Sequence, residues 1–405
     1  MADLGDIMHR TQAVAAASRA NNWRYALIAI IAFLTLVDLF AAQAVLPSLV
    51  EKFNVSRATM GFAVNSSTFG MAVAGLVVAL FGSNIDRRRG VWISLAVLSI
   101  PTLLLAFTDD IVVFTVLRIA QGLCMSTAFT LTAAYLSEHF SADTAGTALA
   151  AYVTGNVASN LFGRILSASV TGLGGLPVNF IMFAGLNLVG ALIAAFTMTT
   201  AARMMRVNET GASSMHLWRA HLRDAELTRA FAIGFLILFV FIGTYTYVNF
   251  RLVALGVPPM ALGLVYLVFL PSILTTPLAG QLAGRVGSRL GIVLTLAMAV
   301  IGLMALVSHK LPVVLAGLAL IAVGTFLAQA MATGVVGRRA RSDKAGASGI
   351  YLASYYAGGL LGSLVLGQLH DRFGWNSCVL ALVVALCLAI RLANRLQADV
   401  APVRQ

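Results

Sequence analysis

Twelve long runs of apolar residues, separated by short polar segments, divide this chain of 405 residues. About 20 apolar residues are enough for an α-helix to cross the hydrocarbon core of a bilayer. Only 10% of the residues are charged, whereas a soluble domain has about 25%. The sequence therefore predicts an all-α polytopic membrane protein. The predicted spans, numbered 1 to 12, are residues 23–49, 57–81, 91–108, 111–137, 144–169, 176–199, 229–254, 259–283, 289–308, 312–336, 345–368 and 375–394.

The positive charges predict how these spans lie in the membrane. If both termini are cytoplasmic, the outer loops hold only Lys52, Arg57, Lys310 and Arg372, and most of the 27 lysines and arginines lie inside. This bias is the positive-inside rule. The first run is too long for a signal peptide, so span 1 is expected to remain. The net charge of +12 thus indicates orientation and attraction to anionic lipid, with no nucleic acid as partner.

The chain divides into two similar halves. We expect a cytoplasmic N-terminal tail (1–22), a six-helix bundle (23–199), a cytoplasmic linker (200–228), a second six-helix bundle (229–394) and a cytoplasmic C-terminal tail (395–405). The segment Asp143–Gly146, before span 5, has a counterpart in Asp343–Gly346, before span 11, and Gly82 has one in Gly280. A duplicated membrane protein places its binding site between the halves, near the midplane.

Small residues recur at a spacing of four in two equivalent spans. Span 5 carries Gly155, Ser159 and Gly163, and span 11 carries Gly358 and Gly362. Small residues at this spacing allow helix backbones to approach closely in lipid. We therefore expect spans 5 and 11 to pack against each other across the interface between the halves.

Asp38 lies inside span 1 and is the residue that says most about function. An acid at the centre of a membrane helix costs about 2.5–3.5 kcal/mol on insertion scales, and such acids usually face a wet cavity or a partner. A carboxyl group there can take up and release a proton as its surroundings change. Asp38 is therefore a candidate for coupling transport to a proton gradient. The alternative is a structural acid that is hydrogen-bonded to a polar neighbour, and Gln43 is one candidate for that neighbour.

Four motifs resemble the major facilitator superfamily. The segment after span 8, Gly280-Gln-Leu-Ala-Gly-Arg-Val-Gly-Ser-Arg289, is close to the family's G-x-L-a-D-R-x-G-R-R signature, with Gly284 in place of the acid. The loop after span 2, Gly82–Gly90, keeps an acid and three arginines in a shorter form. Span 4 has Leu117-Arg-Ile-Ala-Gln-Gly122, and Pro47 follows Asp38 at the end of span 1.

Within that superfamily the chain looks most like the YnfM-type, or acriflavine-sensitivity, branch of sugar and drug efflux proteins. The supporting segments are Gly155–Arg164 in span 5, Phe250–Leu252 in span 7 and Gly346–Tyr356 in span 11. The resemblance implies twelve helices in two pseudo-symmetric bundles and secondary active transport by alternating access. Span 5 lacks the Gly-Pro motif of many drug exporters, which weakens a drug-specific reading.

The resemblance also implies roles for particular residues. Arg118 and Gln121 of span 4 are expected to act with Asp38 in proton coupling, and Arg118 is the expected partner of the acid. The alternative is an arginine that only holds helices together. At the cytoplasmic mouth, we expect a gate formed by Asp86, Arg87, Arg88, Arg89, Glu138, Arg285 and Arg289. The positive-inside rule alone is the alternative for the arginines of this set.

The balance of charge inside the spans indicates the class of substrate. Asp38 is the only clear acid there, against the three arginines Arg118, Arg164 and Arg251. Arginine forks match the geometry of carboxylates and phosphates, so a polar or anionic substrate is favoured. For Arg164 and Arg251 the alternative is that they extend to the membrane surface. The expected substrate-binding residues are Gln43, Asn65, Asn156, Asn160, Arg164, Tyr245, Asn249, Arg251, Gln329, Tyr355 and Tyr356.

These expectations combine into one function. The chain is predicted to be a proton-coupled exporter of small polar or anionic molecules in the bacterial inner membrane, active as a monomer and with no cofactor besides the proton. Uptake of an organic anion by proton symport is the alternative. A membrane enzyme or a receptor is a remote alternative, because the spans contain no HExxH or Gly-x-Ser-x-Gly motif and no histidine.

Overall fold

The computed structural model describes the backbone of residues 2–81, 85–139, 142–198, 214–258, 261–340 and 344–397. It describes the side chains of residues 23–81, 85–136, 148, 151–198, 218–258, 261–340 and 346–397. Gly82 and Asp343, two members of the expected repeats, lie outside the described residues. Among the described residues the regular elements are all helices, which confirms the predicted all-α class.

The first half contains helices at all six predicted positions. Span 1 belongs to the helix Ala2–Ala44, which is followed by Leu46–Phe53; span 2 is divided into Arg57–Asn65 and Ser67–Phe81; spans 3 and 4 are Arg87–Leu104 and Ile111–His139. Spans 5 and 6 form one continuous assignment, Ala142–Thr197, with a sharp turn at Gly175. Gly175 has a φ of 78°, a conformation that glycine adopts without a Cβ penalty.

The second half repeats this pattern after the linker helix Ser214–Arg223. Span 8 is irregular, because short 3₁₀ turns at Tyr266–Phe269 and Thr276–Leu278 join the helical pieces Leu262–Val265, Leu270–Thr275 and Ala279–Val286. The other spans are regular helices: Ala225–Ala254, Ser288–Ala305, Leu311–Arg339, Lys344–Phe373 and Trp375–Asn394. Pro271 and Pro277 lie in the irregular span, where each removes a backbone donor.

Ten segments of the described chain are long and apolar enough to cross a membrane. One of them, Ala151–Thr197, contains both span 5 and span 6. The helix Arg87–Leu104, which begins with three arginines, occupies the place of span 3. Every predicted span therefore has a helix at its position. An even number of spans in each half places both termini and the linker on the same side of the bundle. We call this side the linker end and the other side the opposite end.

The small residues of spans 5 and 11 pack within their own halves. A Cβ on Gly155 would overlap the backbone carbonyl of Ala29 in span 1, and a Cβ on Gly358 would overlap that of Phe235 in span 7. The expectation that spans 5 and 11 use these glycines to pack against each other is therefore wrong. The duplication instead gives two equivalent contacts, span 1 with span 5 and span 7 with span 11.

Two other pairs of spans join the halves. Spans 2 and 11 meet near the linker end, where Gly349 packs on Ala79, and near the opposite end, where Gly367 packs on Ala58. Spans 5 and 8 meet where Gly263 lies against the side chain of Ala168. At the opposite end, a carboxylate oxygen of Asp371 accepts a 3.1 Å hydrogen bond from the backbone N–H of Ala58. The halves are thus in direct contact at the opposite end.

Candidate functional site: a buried acid and a buried arginine

Asp38 is buried, with 3% of its surface exposed. Its Oδ2 accepts a 2.7 Å hydrogen bond from the side-chain amide of Asn187 in span 6 and lies 3.5 Å from the hydroxyl of Thr102 in span 3. The Asn187 amide also lies 3.1 Å from that hydroxyl. A buried carboxyl needs hydrogen-bond partners, and here neutral groups provide them. Asp38 therefore joins spans 1, 3 and 6 within the first half.

Arg118 binds Asp38 through the backbone. Its Nη1 donates to the main-chain carbonyl of Asp38 at 3.2 Å and to Oε1 of Gln121 at 2.6 Å. Gln121 in turn donates from Nε2 to the hydroxyl of Thr102 at 2.7 Å. The expected direct bond between the two side chains is replaced by an indirect link through Gln121 and Thr102. The structure does bring the three predicted proton-coupling residues into one network.

The same arginine contacts the break in span 2. Arg118 Nε donates to the carbonyl of Val64 at 2.9 Å, and Nη2 donates to the hydroxyl of Ser67 at 3.1 Å. Val64 and Ser67 lie on the two sides of the interruption between Arg57–Asn65 and Ser67–Phe81. A break leaves backbone groups that need other partners, and Arg118 supplies donors at this place. Arg118 thus links the backbone of Asp38 to the break in span 2 through two hydrogen bonds, one to each.

Asn65, which ends the first piece of span 2, connects the halves. Its Nδ2 donates to the hydroxyls of Thr246 in span 7 and Ser363 in span 11, each at 3.0 Å. Its Oδ1 accepts a 2.6 Å hydrogen bond from Nε2 of Gln43. The hydroxyl of Ser363 donates to the carbonyl of Gly61 at 2.7 Å. These bonds form a polar junction between the two bundles. All five residues of the junction are buried.

Gln43 extends the junction to span 7 and span 8. Its backbone carbonyl accepts a 3.0 Å hydrogen bond from Nδ2 of Asn249, whose Oδ1 accepts one of 2.6 Å from the hydroxyl of Tyr266. Gln43 is fully buried and does not bond to Asp38, whose polar neighbours are instead Asn187 and Thr102. Its side chain instead bridges Asn65 and Arg164.

Arg164 is fully buried and surrounded by aromatic rings. Its Nη2 donates to Oε1 of Gln43 at 2.5 Å. The guanidinium carbon lies 4.5 Å from the ring centre of Tyr266, and the rings of Phe40, Tyr245 and Phe269 lie within 5.4–5.6 Å. Among the described residues, no carboxylate lies within ion-pair distance of Arg164. Arg164 is therefore inside the bundle and does not extend to the membrane surface.

The structure gathers five of the predicted substrate residues and places the others elsewhere. Gln43, Asn65, Arg164, Tyr245 and Asn249 form one connected group, in which Tyr245 contributes its ring and its backbone carbonyl. In the described structure the four residues Asn156, Asn160, Gln329 and Arg251 have no hydrogen bond to this group. Tyr355 and Tyr356 contact each other, with ring centres 5.5 Å apart.

Arg251 lies at the opposite end. Its Nη2 donates to the carbonyl of Ser308 at 3.0 Å, in the loop between spans 9 and 10. This position matches the alternative in which the side chain extends to the membrane surface. Asn160, by contrast, is buried one helical turn before Arg164, and its Oδ1 has no hydrogen-bond partner in the described structure.

Two of the predicted gate residues, Asp86 and Arg88, form hydrogen bonds within their own half. Asp86 caps the helix of span 3 by accepting a 2.8 Å bond from the backbone N–H of Arg89. Arg88 Nε donates to the carbonyl of Ala195 in span 6 at 2.9 Å. Arg285 and Arg289 are exposed, and the side chain of Glu138 lies outside the described residues. Arg87 lies in the first turn of span 3, beside these contacts.

A linker-end ion pair was missed from the sequence. Arg339 Nε, at the end of span 10, donates to Oδ2 of Asp224 at 3.1 Å, while Oδ1 of Asp224 accepts bonds from the backbone N–H groups of Glu226 and Leu227 at the start of span 7. Partial burial raises the pKa of this carboxyl, but the backbone donors of Leu227 and Glu226 and the Arg339 guanidinium outweigh it. The pKa of Asp224 is therefore lower than usual.

Sequence reasoning also missed the polar partners inside the spans. They are Thr102, Asn187, Thr246, Tyr266 and Ser363. One signal was available for Asn187, an amide isolated in a strongly apolar run, since such residues in lipid usually face a partner. Hydroxyl residues give no comparable signal, because a membrane helix can satisfy them with its own carbonyls.

These features define a helical membrane transporter with two repeated halves and polar groups at their interface. The model of the Major Facilitator Superfamily matches residues 28–270 and 252–402, and the chain belongs to this superfamily. Similar proteins include the MFS-type transporter YybF of Bacillus subtilis, 27% identical over 91% of this chain and 92% of that protein. The inner membrane transport protein YnfM of Escherichia coli is 27% identical over 90% and 89%.

A solved structure shows the same fold. A bacterial homologue of the human lysosomal transporter Spinster, in an inward-facing and unoccupied conformation, superimposes with a TM-score of 0.72 over 92% of this chain and 96% of that chain, at 13% identity. The predicted superfamily, its twelve-helix fold and a transporter rather than an enzyme are thereby confirmed. The chain is a multi-pass membrane protein, and its superfamily implies a small-molecule substrate.

Proposed function

We propose that this transporter is coupled to protons and exports small polar or anionic organic molecules across the bacterial inner membrane by alternating access. The observation that carries the proposal is the placement of Asp38. It is a buried acid held by neutral donors, in a network that reaches the break in span 2. A carboxyl group held in this way can exist with or without its proton, because no fixed ion pair demands the charge.

The network offers a path from the acid to the interface between the halves. Arg118 bonds both to the backbone of Asp38 and to the two sides of the span 2 break. Asn65, at that break, holds Thr246 and Ser363 of the other half. When Asp38 gains a proton, its negative charge no longer acts on the nearby guanidinium of Arg118, and the bonds around the break readjust. We therefore propose that protonation biases the junction between the halves.

The energy of a proton gradient is sufficient for this work. One charge that crosses 100 mV releases about 2.3 kcal/mol, which corresponds to a concentration ratio of about 50. No further cofactor is needed. Because each chain contains both halves and the junction between them, we propose that the monomer is the active unit. With the linker end and both termini in the cytoplasm, the contacts described at the opposite end close the periplasmic side.

Uptake of an organic anion by proton symport is the second candidate, and Arg164 favours it as much as export. A buried guanidinium to which the described residues supply no acid suits an anion in either direction of transport. Transport in oriented membrane vesicles separates the two. An imposed proton gradient, acid inside, would drive radiolabelled gluconate, glucose or benzenesulfonate into inverted vesicles if the protein is an exporter. Accumulation only in right-side-out vesicles with an acidic exterior would establish symport. Transport that ignores the gradient in both preparations would contradict proton coupling.

A further inference from the structure

Arg164 is a buried cation for which the described part of the chain supplies no acid. We propose that its guanidinium binds the carboxylate of an organic anion with an aromatic or planar body, and that the side chain of Gln43 occupies this place when no substrate is bound. The proposal rests on the proposed transport function and names the substrate class of the same site.

The donors of Arg164 are only partly used. Nη2 donates to Gln43, and Nη1 lies 3.5 Å from the carbonyl of Tyr245, at the limit of a hydrogen bond. Nε has no acceptor in the described structure. A guanidinium carries five N–H donors in a planar fork that matches the two oxygens of a carboxylate. Unsatisfied donors on a fully buried arginine are unfavourable, and a bound carboxylate would satisfy them.

A neighbouring acceptor without a partner indicates a second polar contact. Asn160 lies one helical turn before Arg164 on the same face of span 5, is 1% exposed, and leaves its Oδ1 without a hydrogen bond in the described structure. The Oδ1 acceptor of Asn160, next to the N–H donors of Arg164, suits a ligand that carries a hydroxyl group in addition to its carboxylate. The two groups lie on one regular helix, so their spacing is fixed.

The surroundings favour a flat, aromatic body. Four rings face the guanidinium, and further rings continue from them: Tyr245 lies 4.7 Å from Phe269 and 4.8 Å from Phe241, and Phe241 lies 5.2 Å from Phe326, measured between ring centres. Aromatic groups pair in offset or edge-to-face arrangements at such distances. The ring of an aromatic ligand has a π-face that pairs with such rings, whereas an aliphatic sugar acid has none.

Gln43 has the geometry of an internal substitute for the ligand. Its amide oxygen is 2.5 Å from Nη2 of Arg164, the place that a carboxylate oxygen would take. Carboxylates accept stronger hydrogen bonds from arginine than neutral amides do. A bound carboxylate would displace the Gln43 side chain, whose Nε2 holds Asn65 at the junction. Binding would thereby free Oδ1 of Asn65, the residue whose Nδ2 bonds to Thr246 and Ser363 of the other half.

Calorimetry on the purified protein at pH 7 tests the proposal with benzoate and its neutral analogue benzamide. We expect the wild type to bind benzoate at least about tenfold more tightly than benzamide, since hydrogen bonds from arginine to a carboxylate are roughly twice as strong as those to a neutral amide. Acetate, which has no ring, should bind more weakly than benzoate. Equal binding of benzoate and benzamide, or no binding of benzoate, would overturn the proposal.

Variants of Gln43 and Arg164 make the test specific. Gln43→Glu supplies a permanent internal carboxylate and should weaken benzoate about tenfold or more while leaving benzamide unchanged, whereas Gln43→Met, without that charge, should not weaken benzoate. Arg164→Gln should abolish the preference for benzoate, and Arg391→Gln, which removes the same charge from the exposed face of span 12, should retain it. A preference that survives in Arg164→Gln overturns the assignment.

These results separate two failures. Binding at a fixed pH does not depend on a proton gradient. Selective binding of benzoate without gradient-driven transport would contradict only proton coupling, and gradient-driven transport without selective binding would contradict only the role of Arg164. If Arg164→Gln does not fold, the wild-type comparison and Gln43→Glu still decide, because both leave Arg164 in place.

Discussion

The side-chain amide of Asn187 donates a 2.7 Å hydrogen bond to the carboxylate of Asp38, and these two residues come from opposite ends of the first half's sequence. The partner of the buried acid is thus an amide on span 6, while the arginine of span 4 binds the acid's backbone. A neutral partner leaves the acid free to change its protonation without breaking an ion pair.

We expect Asn187→Ala to lower the free energy of unfolding by about 1–3 kcal/mol, because a buried acceptor loses its donor. The same substitution also removes packing volume, so it should be repeated in an Asp38→Ala background. There the loss should be smaller by about 0.5–3 kcal/mol. Thermal or denaturant unfolding of the four proteins gives this coupling directly. An identical loss in both backgrounds would show that Asn187 does not act through Asp38.

Ser363→Ala should weaken the junction between the halves, since its hydroxyl accepts from Asn65 and donates to the carbonyl of Gly61. Each of the two hydrogen bonds contributes about 0.5–1.5 kcal/mol, so the ratio of the state closed at the opposite end to the open state should fall about five- to 150-fold. Spin labels at the exposed positions Glu51 and Phe373, in a variant without the natural cysteines, report this distance.

The matched control is Ser354→Ala on the same helix, because its hydroxyl donates to the carbonyl of Phe231 within the second half. It should leave the distance distribution unchanged. If Ser354→Ala and Ser363→Ala shift the distribution equally, the junction does not govern closure.

Gly155→Ala should destabilise the first half by about 1–3 kcal/mol, because its Cβ would overlap the backbone of Ala29 in span 1. Gly185→Ala is the control, since a Cβ there meets no atom within 4 Å, and alanine is favoured over glycine in a helix. The unfolding midpoint of Gly155→Ala should therefore lie below the wild-type value, and that of Gly185→Ala should lie at or above it. Equal midpoints would contradict the close contact between spans 1 and 5.

Asp224 provides a prediction about pH. Its pKa is lower in the folded protein than its usual value, so its carboxylate adds stability at pH values above the usual Asp pKa of about 3.9, and this contribution is lost as the pH falls through the lower folded value. Asp224→Asn should be less stable than the wild type at neutral pH, with the difference shrinking below about pH 4. Thermal midpoints across this range provide the measurement. A constant difference at all pH values would contradict the assignment.

The sequence predicted those features that depend on composition and local spacing. The run of apolar residues gave the spans, and the helical spacing of Arg118 and Gln121 placed the two side chains in contact, as the structure has them. The duplication predicted two similar six-helix halves, as the structure has them. These features need no knowledge of how the helices are arranged.

Long-range pairings were not predictable in the same way. A stripe of glycines shows that some helix approaches closely, but it does not identify that helix, and the assignment of spans 5 and 11 to each other was wrong for this reason. Asn187 and Asp38 are far apart in sequence, and many arrangements of six spans would bring different polar residues to the acid. The irregular geometry of span 8, which brings Tyr266 to Arg164, is likewise set by tertiary contacts.

The coupling role of Asp38 is tested most directly by comparing two kinds of transport in proteoliposomes that hold Asp38→Asn. The substrate is whichever compound the oriented vesicles accumulate with the wild type. We expect the variant to retain exchange of labelled for unlabelled substrate, which needs no net proton movement, and to lose accumulation driven by a proton gradient. Accumulation at the wild-type level in Asp38→Asn, under the same gradient, would contradict the account.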